Sequence, residues 1–151
     1  MDFDILSLSS ASKLKEKKYD CTIICLPECE QDINIDYSLL SSSFIRLPIW
    51  DVECKPILFF KTEDFTPSYE NMSVYIKQLF NIKESMTDDT RFLFHCYLGQ
   101  SRSVAFAILF LEILGFSQYE AEKRVKSKVD IYQPNALILK LGRDIIKERK
   151  I

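Results

Sequence analysis

The chain has little of the material from which most catalytic sites are built. One histidine in 151 residues excludes any site made from several imidazoles, multi-histidine metal centres included. Three glycines and five prolines are too few for a linker, a collagen-like repeat or a low-complexity segment. Long apolar runs are missing: the longest, Val104 to Leu111, ends at Glu112, far short of the roughly 20 residues a membrane span needs. There is no excess of positive charge either. A formal net charge of −2 argues against a protein that wraps nucleic acid, because phosphate neutralisation needs a basic footprint. Met1-Asp2-Phe3-Asp4 has no basic stretch ahead of an apolar core, so no secretory signal is expected.

What is present suffices for one domain spanning 1–151. The composition is 47% hydrophobic. A chain of about this length buries roughly 68–70% of its unfolded surface, without help from disulfides or metals. Five cysteines leave at least one unpaired in any pairing scheme, and with no export signal a reduced, cytoplasmic setting is expected. Cys21, Cys25 and Cys29 recur every four residues, but a structural zinc site wants a second pair and none exists, so no metal is expected. Two of the three are expected in or beside a strand. These cysteines and Cys54 remain candidates for a reversible disulfide with a reactive thiol. Charge is uneven: residues 20–70 carry three Lys/Arg against ten Asp/Glu, and residues 118–151 carry nine against five. Solvated helix faces are the favoured explanation; attraction of an anionic substrate by the basic C-terminal part is the other.

Strand and helix signals alternate. Asp4 to Leu8 reads as a short strand, followed by a Lys-rich helical stretch to Lys18. Cys21 to Leu26 is a continuous, partly β-branched run of the kind found in buried strands. Phe44 to Trp50 reads as a strand that Pro48 confines to an edge or an end. Met72, Tyr75, Ile76, Leu79 and Phe80 have helical spacing within Tyr69–Met86. Arg91 to His95 is a strand, and Ser103 to Leu114 a nearly all-apolar helix closed by Gly115. Ser117 caps the next helix, and Pro134 opens a last one reaching about Lys150. The expected class is α/β, a mostly parallel sheet of about four to five strands with helices on both faces.

The chemistry concentrates in His95-Cys96-Tyr97-Leu98-Gly99-Gln100-Ser101-Arg102-Ser103, between the last strand and the apolar helix. In this composition a bare Cys-x₅-Arg is expected by chance about 0.2 times. Requiring Gly three after the Cys and His before it lowers that to roughly 3 × 10⁻⁵. The spacing suits an anion. A short loop entering a helix turns successive backbone N–H groups inward, here those from Tyr97, Leu98, Gly99, Gln100 and Ser101 to Arg102, and the helix N-terminus adds about half a positive charge. Gly99 permits backbone angles that a side chain forbids. Arg102 can fold its planar guanidinium over the loop and grip two phosphate oxygens. The dipoles that hold a phosphate dianion also favour thiolate over thiol at Cys96, which makes a nucleophile aimed at phosphorus.

His95 to Ser103 resembles the signature loop of the cysteine-dependent protein tyrosine phosphatases, and its Ser101-Arg102-Ser103 ending is most similar to the dual-specificity branch and its small bacterial relatives. Leu47-Pro48-Ile49-Trp50-Asp51 resembles the strand and general-acid loop of that family, and Ile131 to Asn135 the C-terminal part of its small members. The resemblance implies a phosphotyrosine phosphatase, with phosphoserine and phosphothreonine as further candidate substrates. In it Cys96 attacks phosphorus to form a cysteinyl-phosphate, which Arg102 and the loop amides stabilise. An aspartic acid protonates the leaving oxygen and then activates water. Ser103 donates a hydrogen bond to Cys96 as it leaves, and His95 orients the loop and favours the thiolate without acting as base. No cofactor or metal is implied. Asp51, held at a strand end beside Trp50, is the preferred acid. Asp64 is the alternative, since the family's interval to the cysteine is nearer to its 32 residues than to the 45 of Asp51.

Three other readings compete. A phosphate-binding module without turnover is weakened by the survival of nucleophile, arginine, serine and candidate acid. A rhodanese-like sulfurtransferase fits the Ser-Arg-Ser run less well. A phosphatase for a non-protein phosphomonoester, such as an inositol lipid, would favour lysines inside the loop, where Tyr97, Leu98 and Gln100 are uncharged. The partner expected is thus a phosphorylated protein, and the sequence is silent on oligomeric state.

Overall fold

Four short stretches pair into one fully parallel sheet. In the computed structural model, which describes residues 1–53 and 65–149, β1 (Asp2–Leu6), β2 (Tyr19–Ile24), β3 (Ser41–Arg46) and β4 (Arg91–His95) lie in the order β1-β4-β2-β3. All three pairings are parallel. The two central strands, β2 and β4, are the most continuously apolar, as burial on both faces requires.

Five helices complete the chain: α1 (Leu8–Ser12), α2 (Tyr69–Ser85), α3 (Arg102–Ile113), α4 (Gln118–Lys126) and α5 (Ala136–Arg149). Side chains alternate across the sheet. Ile23, Phe92 and Phe94 face α2 to α5, and Ile24 and Leu93 face the opposite side. The second face carries no long helix. It is covered by Leu14 after α1 and by the segment 26–40, which contains 3₁₀ turns at Glu28–Glu30 and Tyr37–Leu39. Helix α3 is buried along its whole length, so it runs through the core and its N-terminus meets the sheet edge.

Local signals explain the ends. Ser7, Ser68 and Ser117 cap α1, α2 and α4, each accepting the amide three residues on. Asn135 caps α5, its Oδ1 accepting the Ile138 amide at 2.9 Å, where the sequence pointed to Pro134. Helix α1 ends at Ser12, well before Lys18. The stretch from Lys13 to Lys18 offers only Leu14 to the core, so nothing compensates the entropy of ordering it. Strand β3 begins three residues earlier than Phe44 because Ser41 is buried and its hydroxyl meets that of Thr22 at 2.8 Å.

The register sets up the site. Leu6, His95 and Ile24 share one level, so β1, β4 and β2 end together. The loop after β4 is therefore flanked by the chain leaving β1 and β2, at the carboxyl edge where parallel sheets bind their ligands.

Candidate active site

The signature loop is held from outside by its carbonyls. Those of His95, Tyr97 and Gln100 accept the amides of Cys25, Leu8 and Gln133, at 2.7, 3.0 and 3.1 Å. Ser101 O accepts from Ala105 and Asn135, and His95 Nδ1 donates to Cys96 O at 3.3 Å. With the carbonyls engaged outward, the N–H groups face the enclosed side. The Gly99 amide donates to Cys96 Sγ at 3.3 Å, and those of Tyr97, Leu98, Gln100 and Ser101 find no acceptor among the described residues. Gly99 is required twice over. Its φ is 72°, and a Cβ there would lie 2.8 Å from the Leu6 carbonyl carbon and the Ser7 nitrogen.

Cys96 sits at the floor of this loop with its Sγ 3.1 Å from Ser103 Oγ, in the first turn of α3. Arg102, only 4% exposed, spans the loop. Its Nη1 and Nη2 donate to the two carboxylate oxygens of Glu30 at 3.1 and 2.5 Å, and Nη1 also donates to Ile49 O at 2.9 Å. Burial alone would disfavour the charge, but the hydrogen bonds donated to Glu30 and the field of Cys96 outweigh it, so the guanidinium stays cationic. A guanidinium has five N–H donors. The two left over, Nε–H and the second Nη2–H, share one edge, and Nε is buried with no partner among the described residues. An unpaired buried donor is costly, so this edge is a fork preset for two oxygens of an anion.

Asp51, exposed after β3, reaches the same place. Its Oδ1 accepts from Ser101 Oγ at 2.7 Å and from Asn135 Nδ2 at 2.9 Å. Asp51, Glu30, Cys96, Tyr97, Arg102 and Gln133 line one cavity of about 330 Å³. A larger hollow of about 690 Å³ lies by Tyr37 and Arg46 but touches no part of the signature loop, so the chemistry belongs to the smaller one. Trp50 stacks obliquely on Phe65, ring centres 6.1 Å apart. Asp64 and Cys54 lie outside the described residues.

The histidine is fully buried on the other face of the sheet from Cys96. Burial pushes it down to about 4, so it is neutral at physiological pH. Its bond to Cys96 O makes Nδ1 the protonated nitrogen, and Nε2 accepts from Tyr37 OH at 2.9 Å. The Tyr37 ring stacks on the imidazole at 5.5 Å. His95 therefore supports the loop through a dipole, not through a formal positive charge.

Three other cysteines are described, and of these Cys25 lies near enough to feel the charges of Cys96 and Arg102. Cys21 and Cys25 lie in and just after β2 and are buried, and Cys29 is exposed; all three are free thiols. Burial pushes Cys25 well up, which keeps it a thiol. Among the described residues no cluster could hold a metal ion.

Sequence reasoning missed Glu30, Asn135, Tyr37 and Asp32, the last accepting the Tyr97 hydroxyl at 2.8 Å. Glu30 and Asp32 lie within the acidic stretch 20–70, whose charge balance carries no sign of their separate roles.

No family model and no curated protein matches the chain. Solved structures do. That of human DUSP28 superimposes with a TM-score of 0.66 at 16% identity, covering 99% of this chain and 90% of that one. The fold is that of the dual-specificity phosphatases. A human tyrosine phosphatase-like serine/threonine/tyrosine-interacting protein gives 0.67 at 18% identity, covering 99% and 93%. PTPMT1 in complex with PI(5)P gives 0.57 at 15%, covering 87% and 79%. The parallel four-stranded sheet with α3 leading out of the signature loop is the dual-specificity arrangement, as the resemblance implied.

Proposed function

We propose that this chain is a protein phosphatase that hydrolyses phosphotyrosine, with phosphoserine and phosphothreonine as further substrates, through a cysteinyl-phosphate. The observation that carries the proposal is the buried, unpartnered Nε of Arg102, on a residue that lines one cavity with Cys96 and the loop whose amides have no acceptor among the described residues. Two phosphoryl oxygens would lie on the two-donor edge of Arg102 and the third on the amides, with phosphorus over the sulfur. Cys96 Sγ then forms the S–P bond as the P–O bond to the substrate breaks. Asp51 gives its proton to the departing oxygen. Because Oδ1 is already held by two donors, Oδ2 is the oxygen that carries this proton. In the second step the Asp51 carboxylate takes a proton from water, whose oxygen attacks phosphorus, and the S–P bond breaks. Ser103 Oγ, 3.1 Å from Sγ, donates to the returning thiolate. Glu30 keeps the guanidinium in place throughout.

Turnover of para-nitrophenyl phosphate and of a phosphopeptide panel, with Cys96→Ser as control, tests the reading. Turnover confined to the wild type supports it. Phosphopeptide binding without turnover would make the chain a phosphate-binding module instead.

A further inference from the structure

Of the sequence's acidic stretch, Glu30 and Asp51 take part in the chemistry above, and the rest of the uneven charge does not. Four of the ten carboxylates in that stretch lie at or beside the cavity. Glu30 and Asp51 line the cavity, and Asp32 holds the hydroxyl of Tyr97, which lines it too. Glu53 lies two residues beyond Asp51, its Oε1 accepting the Ala136 amide at 3.2 Å, close in the chain to the lining Gln133. Arg102 is the one cation among the described lining residues, and Glu30 already pairs with it. Between Glu53 and Phe65 the sequence adds two lysines and two carboxylates, hence no net charge. Four of the nine Lys and Arg in the basic C-terminal stretch pair with carboxylates: Lys128 with Asp2 and Asp4, Arg124 with Glu120, Arg143 with Glu112, and Lys140 with Asp144; Lys128 also lines a separate hollow with Leu98, Gly99 and Gln100. No described Lys or Arg of that stretch lines the cavity of Cys96 itself.

Two electrostatic ranges result. The phosphoryl group touches the amides and the Arg102 fork directly, and these contacts decide its binding. The rest of the substrate meets carboxylates. Glu30 is committed to Arg102 and Asp51 to proton transfer, which leaves Asp32 and Glu53 to read the flanks. A cationic side chain there is stabilised, and a second phosphate is repelled.

Resting on the phosphatase reading, we propose that the substrate is a phosphorylated protein segment with Lys or Arg beside the phosphorylated residue, selected by Asp32 and Glu53. A polyanionic head group is the opposite of what this mouth accepts.

The test uses two phosphotyrosine peptides that differ only in Lys or Glu at the flanking positions. Their Kd values are measured on Cys96→Ser, so that binding is read without turnover. Two exposed charge pairs predict a preference for the Lys peptide of roughly fivefold at low salt. It should shrink toward one near about 0.5 M salt, where the screening length falls to a few ångströms. Asp32→Asn with Glu53→Gln removes both charges and keeps both hydrogen-bond acceptors. In that background the ratio should collapse. Equal affinities, a preference for Glu, a ratio unchanged in the double variant, or tighter binding of vesicles carrying a phosphorylated inositol lipid would each overturn the proposal. Turnover of para-nitrophenyl phosphate by the wild type is read separately. Its absence beside a Lys preference refutes the phosphatase reading alone, and its presence without the preference refutes this inference alone.

Discussion

Acidification should destabilise this protein through its one histidine. His95 is buried against Tyr37 with a folded-state value of about 4, against an ordinary 6.5. The unfolded chain therefore takes up a proton that the folded chain refuses. The stability tied to the neutral imidazole is complete above pH 6.5, declines as the pH falls from there, and is fully lost below 4. In full this amounts to about 3 kcal/mol, of which about 2 kcal/mol falls between pH 7 and pH 5. Urea unfolding at pH 7, 6 and 5, on the wild type and on His95→Asn, gives the difference directly, because carboxylates common to both proteins cancel. The wild type should lose about 2 kcal/mol more than the variant over that interval. With a single histidine in the chain, the Cε1 proton titration by NMR is one resonance and needs no assignment. A midpoint near 6.5, or equal pH slopes in the two proteins, would refute the buried neutral imidazole and its support of the loop.

Three substitutions probe the rest of the site. Asp51→Asn should slow hydrolysis of an alkyl phosphate by about 10²–10⁴-fold and affect an aryl phosphate of acidic leaving group far less; full turnover on the alkyl ester would remove Asp51 from the acid role. Arg102→Lys loses the two-donor edge, and inorganic phosphate, measured as a competitive inhibitor, should bind about a hundredfold more weakly; an unchanged inhibition constant would mean that the fork does not hold the anion. Gly99→Ala places a Cβ 2.8 Å from backbone atoms at a φ of 72°, and should cost about 2–3 kcal/mol in urea unfolding and abolish phosphate binding. Its control is Gly115→Ala at the end of α3, where φ is 106° but nothing lies within 4 Å, so stability falls by about 1–2 kcal/mol and binding persists.

The parts legible in the sequence were those whose causes are local. Arg91–His95 read as a strand from its apolar run, and α3 from its composition and its glycine stop. The signature loop stood out because rare residues met at a fixed spacing. The segment 26–40 was illegible for the opposite reason. Glu30, Asp32 and Tyr37 have no periodicity, and their partners Arg102, Tyr97 and His95 lie 72, 65 and 58 residues away. Only the parallel register of β2 with β4 brings them together. Serines at 41–43 hid the start of β3 because a buried hydroxyl pair, not β propensity, holds it there. The lysines after Ser12 suggested more helix than the core could support.

The central claim is a covalent bond between Cys96 and phosphorus. Rapid acid quench of the enzyme turning over para-nitrophenyl phosphate, followed by mass spectrometry of the peptide that contains Cys96, reads it directly. Asp51→Asn serves as the accumulating background, since it slows the attack of water on the intermediate. The account predicts the added mass of one phosphoryl group on Cys96, absent from Cys96→Ser and chased away when the wild type completes turnover. Turnover with that peptide unmodified at every quench time, or a phosphoryl group found on another residue, would contradict it.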